Sequence, residues 1–137
     1  MKSSLAILVC VLALGISSVG ETGAEKAAVE GSNHWLSVVD AGDYAASWAA
    51  TAPLFRAAVQ EDQWVQMLQA RRAPLGKVIS RVVKSAVYKT SLPGAPDGQY
   101  VVIQYESSFE NKQSAIETVT PSLDHDGQWK VSGYYIR

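Results

Sequence analysis

The stretch QYVVIQYESSFENKQSAIETVTPSLDHDGQWKVSGYYI, residues 99–136, decides the fold. Apolar and polar residues alternate along it with a period of two, and the Asp-Gly pair at Asp126 and Gly127 is typical of a tight turn. Together with the β-branched run after Lys77, it predicts four strands at residues 78–90, 99–109, 113–123 and 128–136. Their short connections predict an antiparallel meander. The adjacent Val82 and Val83 break the alternation and predict a bulge that bends the sheet.

The residues before this sheet have a helical pattern. Apolar side chains recur at helical spacing from Trp35, and Pro53 suits the first turn of a later helix. Acidic residues at Glu61 and Asp62 and cationic residues ten positions later match the two ends of a helix dipole. The sequence therefore predicts an α+β fold in which N-terminal helices pack on a bent four-stranded antiparallel sheet.

The N-terminus has the three-part layout of a secretory signal. Lys2 precedes an unbroken apolar run at residues 5–16, and small and polar residues follow up to Gly20. The run is shorter than the about 20 apolar residues that a stable membrane anchor needs. We therefore expect a signal peptide at residues 1–20, with cleavage near 20 or 24, and an exported protein that is periplasmic or secreted. Cys10, the single cysteine, would be lost with it, which excludes disulfides and thiolate sites from the mature protein.

The small and charged residues 21–33 predict a flexible lead-in, and the domain itself is expected at residues 34–137. The chain has 12 basic and 13 acidic residues, a balance that indicates no nucleic acid partner. Its basic residues are concentrated between Gln63 and Pro96, where no acidic residue occurs. Solvated positions on a helix end and a strand are the favoured interpretation, and an anion-binding patch is the alternative. The residues are Arg71, Arg72, Lys77, Arg81, Lys84 and Lys89.

Four segments, taken in order and spacing, resemble one known family. They are VDAGDY at residues 39–44 with Ser47 and Trp48, RAPLG at 72–76, LPGAPDG at 92–98 and GYYI at 133–136. Together they resemble the DUF4019 family of bacterial exported proteins over nearly the whole mature domain. The resemblance implies a cystatin-like or NTF2-like roll, with helices in the concave face of the sheet. It implies no activity, catalytic residue or cofactor.

The sheet faces suggest a candidate pocket. In the second strand the residues 101, 103, 105, 107 and 109 share the helix-facing side, and in the fourth strand the residues 129, 131, 133 and 135 share it. The third strand would place Glu117 there, and a carboxylate among apolar neighbours can have a raised pKa and act as a general base or ligand anchor. Pairing of Glu117 with an arginine, or a register shifted by one residue, are the alternatives. The candidate ligand-binding residues are Tyr44, Trp48, Tyr105, Glu117 and Tyr135.

The two histidines give weaker signals. His34 can cap a helix or remain in water, and His125 lies between Asp124 and Asp126 in the predicted turn. The requirements of a tight turn explain the residues around His125 better than metal binding does, since Asp and Gly favour the turn geometry. We predict no metal site, cofactor or catalytic set.

The opposite face of the sheet also carries apolar residues, at positions 100, 102, 116, 134 and 136, which suggests a homodimer through this outer face. The favoured function is a non-enzymatic module that binds a small ligand or an envelope protein. The alternatives are a small isomerase, dehydratase or hydrolase that uses Glu117 as its base, and a structural envelope component.

Overall fold

A computed structural model describes residues 19–137 of the chain, and side chains from residue 23 onward. The predicted signal peptide lies almost wholly outside the described residues, and so does Cys10. Four α-helices precede four β-strands in the described residues, which confirms the α+β prediction. The elements are α1 (Val19–Asp40), α2 (Tyr44–Ala49), α3 (Pro53–Ala58), α4 (Glu61–Arg71), a 3-10 turn (Ala73–Leu75), β1 (Val78–Lys89), β2 (Tyr100–Phe109), β3 (Lys112–Leu123) and β4 (Trp129–Ile136).

Helix α1 begins much earlier than the sequence suggested. Residues 21–33, which the sequence predicts as a flexible lead-in, belong to the same helix as Trp35. Ala28 and Ser32 in this part are fully buried, and a Cβ built on Gly31 would lie 3.1 Å from the main-chain oxygen of Trp129. Small residues here let the helix approach β4 closely, which explains their frequency better than flexibility does.

The helices α3 and α4 begin where the sequence predicts. Pro53 occupies the first turn of α3, and Glu61 and Asp62 begin α4. The side-chain oxygen of Gln63 accepts a hydrogen bond from the Gln60 amide at 3.3 Å and thereby satisfies a free donor before α4. Gly76, with a φ of 75°, closes the 3-10 turn in a conformation that favours glycine.

The four strands form one antiparallel sheet in the order β1-β2-β3-β4, as predicted. The register of β1 against β2 shifts between Val83 and Ser85, next to the predicted bulge. Another irregularity lies between Thr120 and Pro121 of β3, where β4 skips Ser132 in the pairing. This extra residue reverses the face of everything that follows it in β4.

The irregularity in β4 corrects one predicted position. Tyr134 turns into the interior, with 8% of its surface exposed, whereas Tyr135 lies outside with 54% exposed. An unbroken alternation along this strand predicts Tyr135 inside and Tyr134 outside, so the prediction is wrong for both residues. Ile136 follows Tyr134 inward and packs against the core, so it leaves the outer face as well.

The core lies between the helices and one face of the sheet. Trp35 and Leu36 of α1, Trp64 and Leu68 of α4, and the inner residues of β2 form one cluster. Burial of Val101, Ile103, Tyr105, Ser107 and Phe109 confirms the predicted inner face of β2.

Candidate functional site

A cluster of charged side chains is buried at the centre of the sheet. Glu117 is fully buried, as its predicted position on the inner face of β3 required. Its Oε1 accepts hydrogen bonds from Arg81 Nε at 2.7 Å and from Ser107 Oγ at 2.6 Å, and its Oε2 accepts one from the Tyr134 hydroxyl. Donors from β1, β2 and β4 therefore hold this carboxylate from three sides.

A second carboxylate completes the cluster from the C-terminus of α1. Asp40 forms a two-pronged contact with Arg81, at 2.8 and 3.0 Å, and receives Arg72 Nη2 at 3.2 Å. Arg72 also donates to the carbonyl of Gly76 at 2.6 Å, and its guanidinium lies 4.6 Å from the ring centre of Phe109. Two arginines thus balance two acids, and the cluster ties α1 and the end of α4 to the sheet.

The cluster perturbs the titration of its members. Burial alone would raise the pKa of Asp40, but the hydrogen bonds and charges of Arg81 and Arg72 outweigh it and hold the pKa below its ordinary value. Burial raises the pKa of Tyr105 to about 12, with the positive charge of Arg81 opposing the rise and the negative charge of Glu117 adding to it. Burial, followed by the charge of Glu117, raises the pKa of Tyr134 strongly.

This arrangement corresponds to the alternative in which Glu117 is paired with an arginine. A general base needs a lone pair within reach of its substrate. Glu117 has no exposed surface, and Arg81, Ser107 and Tyr134 occupy its oxygens. Its geometry is that of a structural ion pair, whose charge is compensated within the fold.

Aromatic side chains fill the space between the helices and the sheet. Trp35 packs edge-on against Tyr134 at 5.2 Å between ring centres, and Phe55 packs edge-on against Trp64 at 5.1 Å. The two buried indoles share one partner: Trp35 Nε1 donates to the Ser47 carbonyl and Trp64 Nε1 to the Ser47 hydroxyl, both at 2.9 Å. These residues occupy the volume in which a ligand of a concave sheet would lie.

The structure does not bring the five predicted ligand-binding residues to one cavity. Tyr105 and Glu117 are register partners in the buried interior, and the Tyr105 hydroxyl donates to Asn33 Oδ1 at 2.8 Å. Tyr44 and Trp48 lie on α2, half-buried, and Trp48 Nε1 donates to the carbonyl of Val59 at 2.8 Å. Tyr135 is on the other side of the sheet. A ligand-binding role for these residues remains a prediction.

An open groove of about 520 Å³ lies between α1 and the start of β4. One stripe of α1 forms its first wall, and residues 128–131 form the second. Its lining includes the half-buried indole of Trp129 and, at the rim, the exposed side chains of Glu30 and His34. The lining residues are Ala27, Glu30, Gly31, His34, Trp35, Val38, Ala50, Gln128, Trp129, Lys130 and Val131.

The positive charge of Lys130, one of the residues that line the groove, is compensated by two aspartates of the neighbouring turn. Lys130 Nζ lies 2.7 Å from Asp124 Oδ2 and 3.1 Å from Asp126 Oδ2, so its charge is compensated at the turn. The same aspartates accept the amides of His125 and Gln128, at 2.8 and 2.9 Å, as a tight turn requires. Turn formation therefore explains this segment, as the sequence suggested, and residues 19–137 contain no cluster of three or more metal-binding side chains.

The basic residues after Gln63 do not all lie in solvent. Arg72 is 3% exposed and Arg81 has 13% of its side chain exposed, so the prediction of solvated positions is wrong for these two. Both arginines contact the carboxylate of Asp40, the last residue of α1. Their positions in the sequence do not distinguish these two arginines from solvated ones, so the sequence carried no signal for the cluster.

Three of the five apolar residues predicted for the outer face are not exposed on it. Tyr134 and Ile136 face inward, and Tyr100 is 4% exposed because the preceding loop covers it, with its hydroxyl donating to the carbonyl of Pro96. Val102 and Ile116 remain on this face, half-buried. Among the helices of the described part, none is both long and apolar enough to cross a bilayer.

Comparison with known proteins identifies a family but no relative of known function. The family model described as "Protein of unknown function (DUF4019)" matches residues 31–134, which is more than half of the chain. The match extends from the middle of α1 to β4 and includes the ion cluster and most of the groove. No curated protein matches the sequence.

Proposed function

The chain belongs to the DUF4019 family, and we propose that it is a non-enzymatic module that binds a small ligand in the groove between α1 and β4. The observation that carries this proposal is the groove itself. It is an open cavity of about 520 Å³, and an indole, a carboxylate and an imidazole line it together. Clefts with an apolar floor and a few polar groups are the usual form of small-molecule sites.

The packing between the helices and the sheet leaves no room for a ligand there, which supports a site elsewhere. Aromatic rings fill that interface, and its carboxylates are paired with arginines. A ligand that entered there would have to displace Trp35 or Tyr134, each of which is packed and hydrogen-bonded. The α1–β4 groove needs no such displacement.

The chemistry of the groove indicates the class of ligand. The indole of Trp129 and the side chains of Val38 and Val131 favour an apolar or aromatic body. Glu30 and His34 at the rim can hydrogen-bond to a polar end of the ligand. Because the charge of Lys130 is already paired with Asp124, we expect preference for a small, largely uncharged, amphipathic compound.

Binding of three defined probes tests the site: indole, n-octanol and inorganic phosphate. Because indole itself fluoresces, its binding is measured by thermal shift. Binding of octanol is measured by the change in emission of Trp129. We expect saturable binding of indole or octanol and none of phosphate. The Trp129→Phe variant should lose the emission change.

A groove-filling variant separates this site from other surfaces. Ala27→Trp places a large side chain in the groove from an exposed position of α1 and should abolish binding. Ala45→Trp, at an exposed position of α2 away from the groove, is the matched control and should bind as the parent does. Equal binding by both variants, or no saturable binding of either apolar probe, would count against the proposal.

We also propose that the protein is exported, with cleavage of its signal near residue 20 or 24. The support is the positive residue, apolar run and small-residue region at the N-terminus. Both cleavage positions precede Ala28, the first fully buried residue of α1 among the described side chains. Cell fractionation and mass spectrometry of the purified protein test this, and a full-length cytosolic product would contradict it. A homodimer through the outer sheet face likewise remains a prediction.

A further inference from the structure

The two edges of the sheet differ in how they are covered. At the β4 edge, the amide of Ala52 donates to the carbonyl of Val131 at 2.8 Å, and the carbonyl of Trp129 lies against Gly31 of α1. At the β1 edge, no main-chain hydrogen bond within residues 19–137 joins the strand to anything but β2. An uncovered edge presents a row of donors and acceptors that another strand can pair with.

The β1 edge is also apolar. Seven large apolar residues of the described part are exposed, and four of them lie on β1. Val82 and Val87 lie on the outer face, and Val83 lies on the inner face, as their pairing with β2 shows. The four residues, with their exposed fractions, are Ile79 at 66%, Val82 at 59%, Val83 at 43% and Val87 at 45%.

The charge on this edge has one sign. Residues 77–89 contain four basic residues and no acidic residue. Arg81 turns inward to Glu117, whereas Lys84 reaches only an exposed contact with Glu106 at 3.8 Å. Lysine and bulges on an edge strand disfavour pairing with an identical strand, because like charges then face each other. The same charges favour an acidic strand.

We propose that the β1 edge binds an extended, acidic segment of a partner protein, which adds to the sheet as a fifth strand. The segment would carry alternating apolar and acidic residues. Ser85–Lys89 is the best site, because its pairing with β2 runs without interruption from Gln104 to Tyr100. Main-chain pairing supplies affinity in this mode of recognition, and side chains such as Val87 and Lys89 supply selectivity.

Three synthetic peptides test the proposal on the full mature protein. They are an acidic strand, Ac-DVTVEVTE-NH2, its basic counterpart, Ac-KVTVKVTK-NH2, and an acidic peptide with two prolines, Ac-DVTPEPTE-NH2. We expect saturable binding of the acidic strand only, weaker at high salt, with slower hydrogen exchange of β1 amides in the complex. Proline removes the donors needed for pairing, so equal binding of the third peptide would overturn the proposal.

A charge reversal identifies the surface. The double variant Lys84→Glu, Lys89→Glu should lower the affinity for the acidic strand by about tenfold or more, since each cross-strand pair changes from attraction to repulsion. Lys26→Glu, Lys112→Glu changes the net charge equally at exposed positions outside β1 and should have no effect. Equal losses in both variants would show a nonspecific charge effect and overturn the proposal.

Two other occupants of the edge are distinguishable. If light scattering showed a dimer in which hydrogen exchange of the β1 amides was slowed, β1 would pair with a second copy and the proposal would be wrong. Binding to phosphatidylglycerol vesicles without binding to the acidic peptide would assign the edge to an anionic membrane surface, and would also overturn it. Neither outcome bears on the α1–β4 groove, which the edge does not adjoin.

Discussion

Tyr134 and Tyr135 are consecutive residues of β4, yet Tyr134 donates a hydrogen bond to the buried carboxylate of Glu117 while Tyr135 lies on the outer face. Alternation along the strand places the two side chains on opposite faces, and the irregularity at Ser132 makes residue 134 the inner one. The two tyrosines therefore provide a matched pair for measuring what the buried hydroxyl contributes to stability.

The first prediction compares Tyr134→Phe with Tyr135→Phe. Removing the Tyr134 hydroxyl leaves Glu117 with fewer donors in a fully buried position, so the free energy of unfolding should fall by about 2 kcal/mol. Tyr135→Phe removes an exposed hydroxyl and should change it by less than about 0.5 kcal/mol. Urea denaturation measures both. Equal effects would mean that the hydroxyl contact does not stabilise the fold.

Acid should weaken the ion cluster through Asp40. The pKa of Asp40 is lowered in the fold, since Arg81 and Arg72 outweigh the effect of burial, and its ordinary value is 3.8. The charged form is therefore bound more strongly in the folded state, and this stability is complete well above pH 4 and lost as the pH falls through the lowered pKa. We expect the free energy of unfolding to decrease below about pH 4.

The Asp40→Asn variant tests that assignment. It should be less stable than the parent at neutral pH, because it leaves Arg72 and Arg81 with less compensation, and its loss of stability in acid should be shallower. Asp97→Asn, at an exposed position of the loop before β2, is the control and should retain the steeper profile. If Asp40→Asn showed the parent's acid profile, another group would be responsible.

Alkaline pH should act through the buried tyrosines. Burial raises the pKa of Tyr105 to about 12 in the fold, and the unfolded chain ionises near the ordinary value of 10.0. A raised pKa contributes stability that is complete below pH 10 and is lost as the pH rises towards 12. Denaturation curves at rising pH should show this loss. The Tyr105→Phe variant should lose less over the same range, whereas Tyr135→Phe should follow the parent.

The sequence predicted the order of elements well because each has a local cause. Turn residues such as Asp126 and Gly127, the proline of α3 and the period of two in β2 fix their segments without reference to the rest of the chain. The burial of Glu117 also followed from alternation alone. What sequence reasoning missed depended on contacts between distant segments.

Asp40 and Arg81 show this limit. They are 41 residues apart, and only the crossing of α1 over the sheet brings them to 2.8 Å. Nothing local marks either residue as buried, so both read as solvent-exposed charges. The register change at Ser132 is similar, because an irregularity in β4 depends on its pairing with Pro121, which cannot donate to the ladder.

The last prediction concerns the close approach of α1 to β4. Gly31 and Gly23 both lie within α1, where alanine favours the helix by up to about 1 kcal/mol over glycine. At Gly23 a Cβ meets nothing within 4 Å, so Gly23→Ala should stabilise a chain that retains this residue, as cleavage near residue 20 would leave it. At Gly31 it would lie 3.1 Å from the main-chain oxygen of Trp129, which pairing with β3 holds in place.

Gly31→Ala should therefore be less stable than Gly23→Ala by about 1 kcal/mol or more, since the gain in helix propensity is offset by displacement of α1 from the strand. Because Gly31 and Trp129 both line the α1–β4 groove, the displacement should also alter Trp129 emission, which Gly23→Ala should leave unchanged. Urea denaturation and fluorescence spectra measure the two effects. Equal stabilisation by both alanines, with identical spectra, would show that α1 does not depend on a glycine to pack against β4.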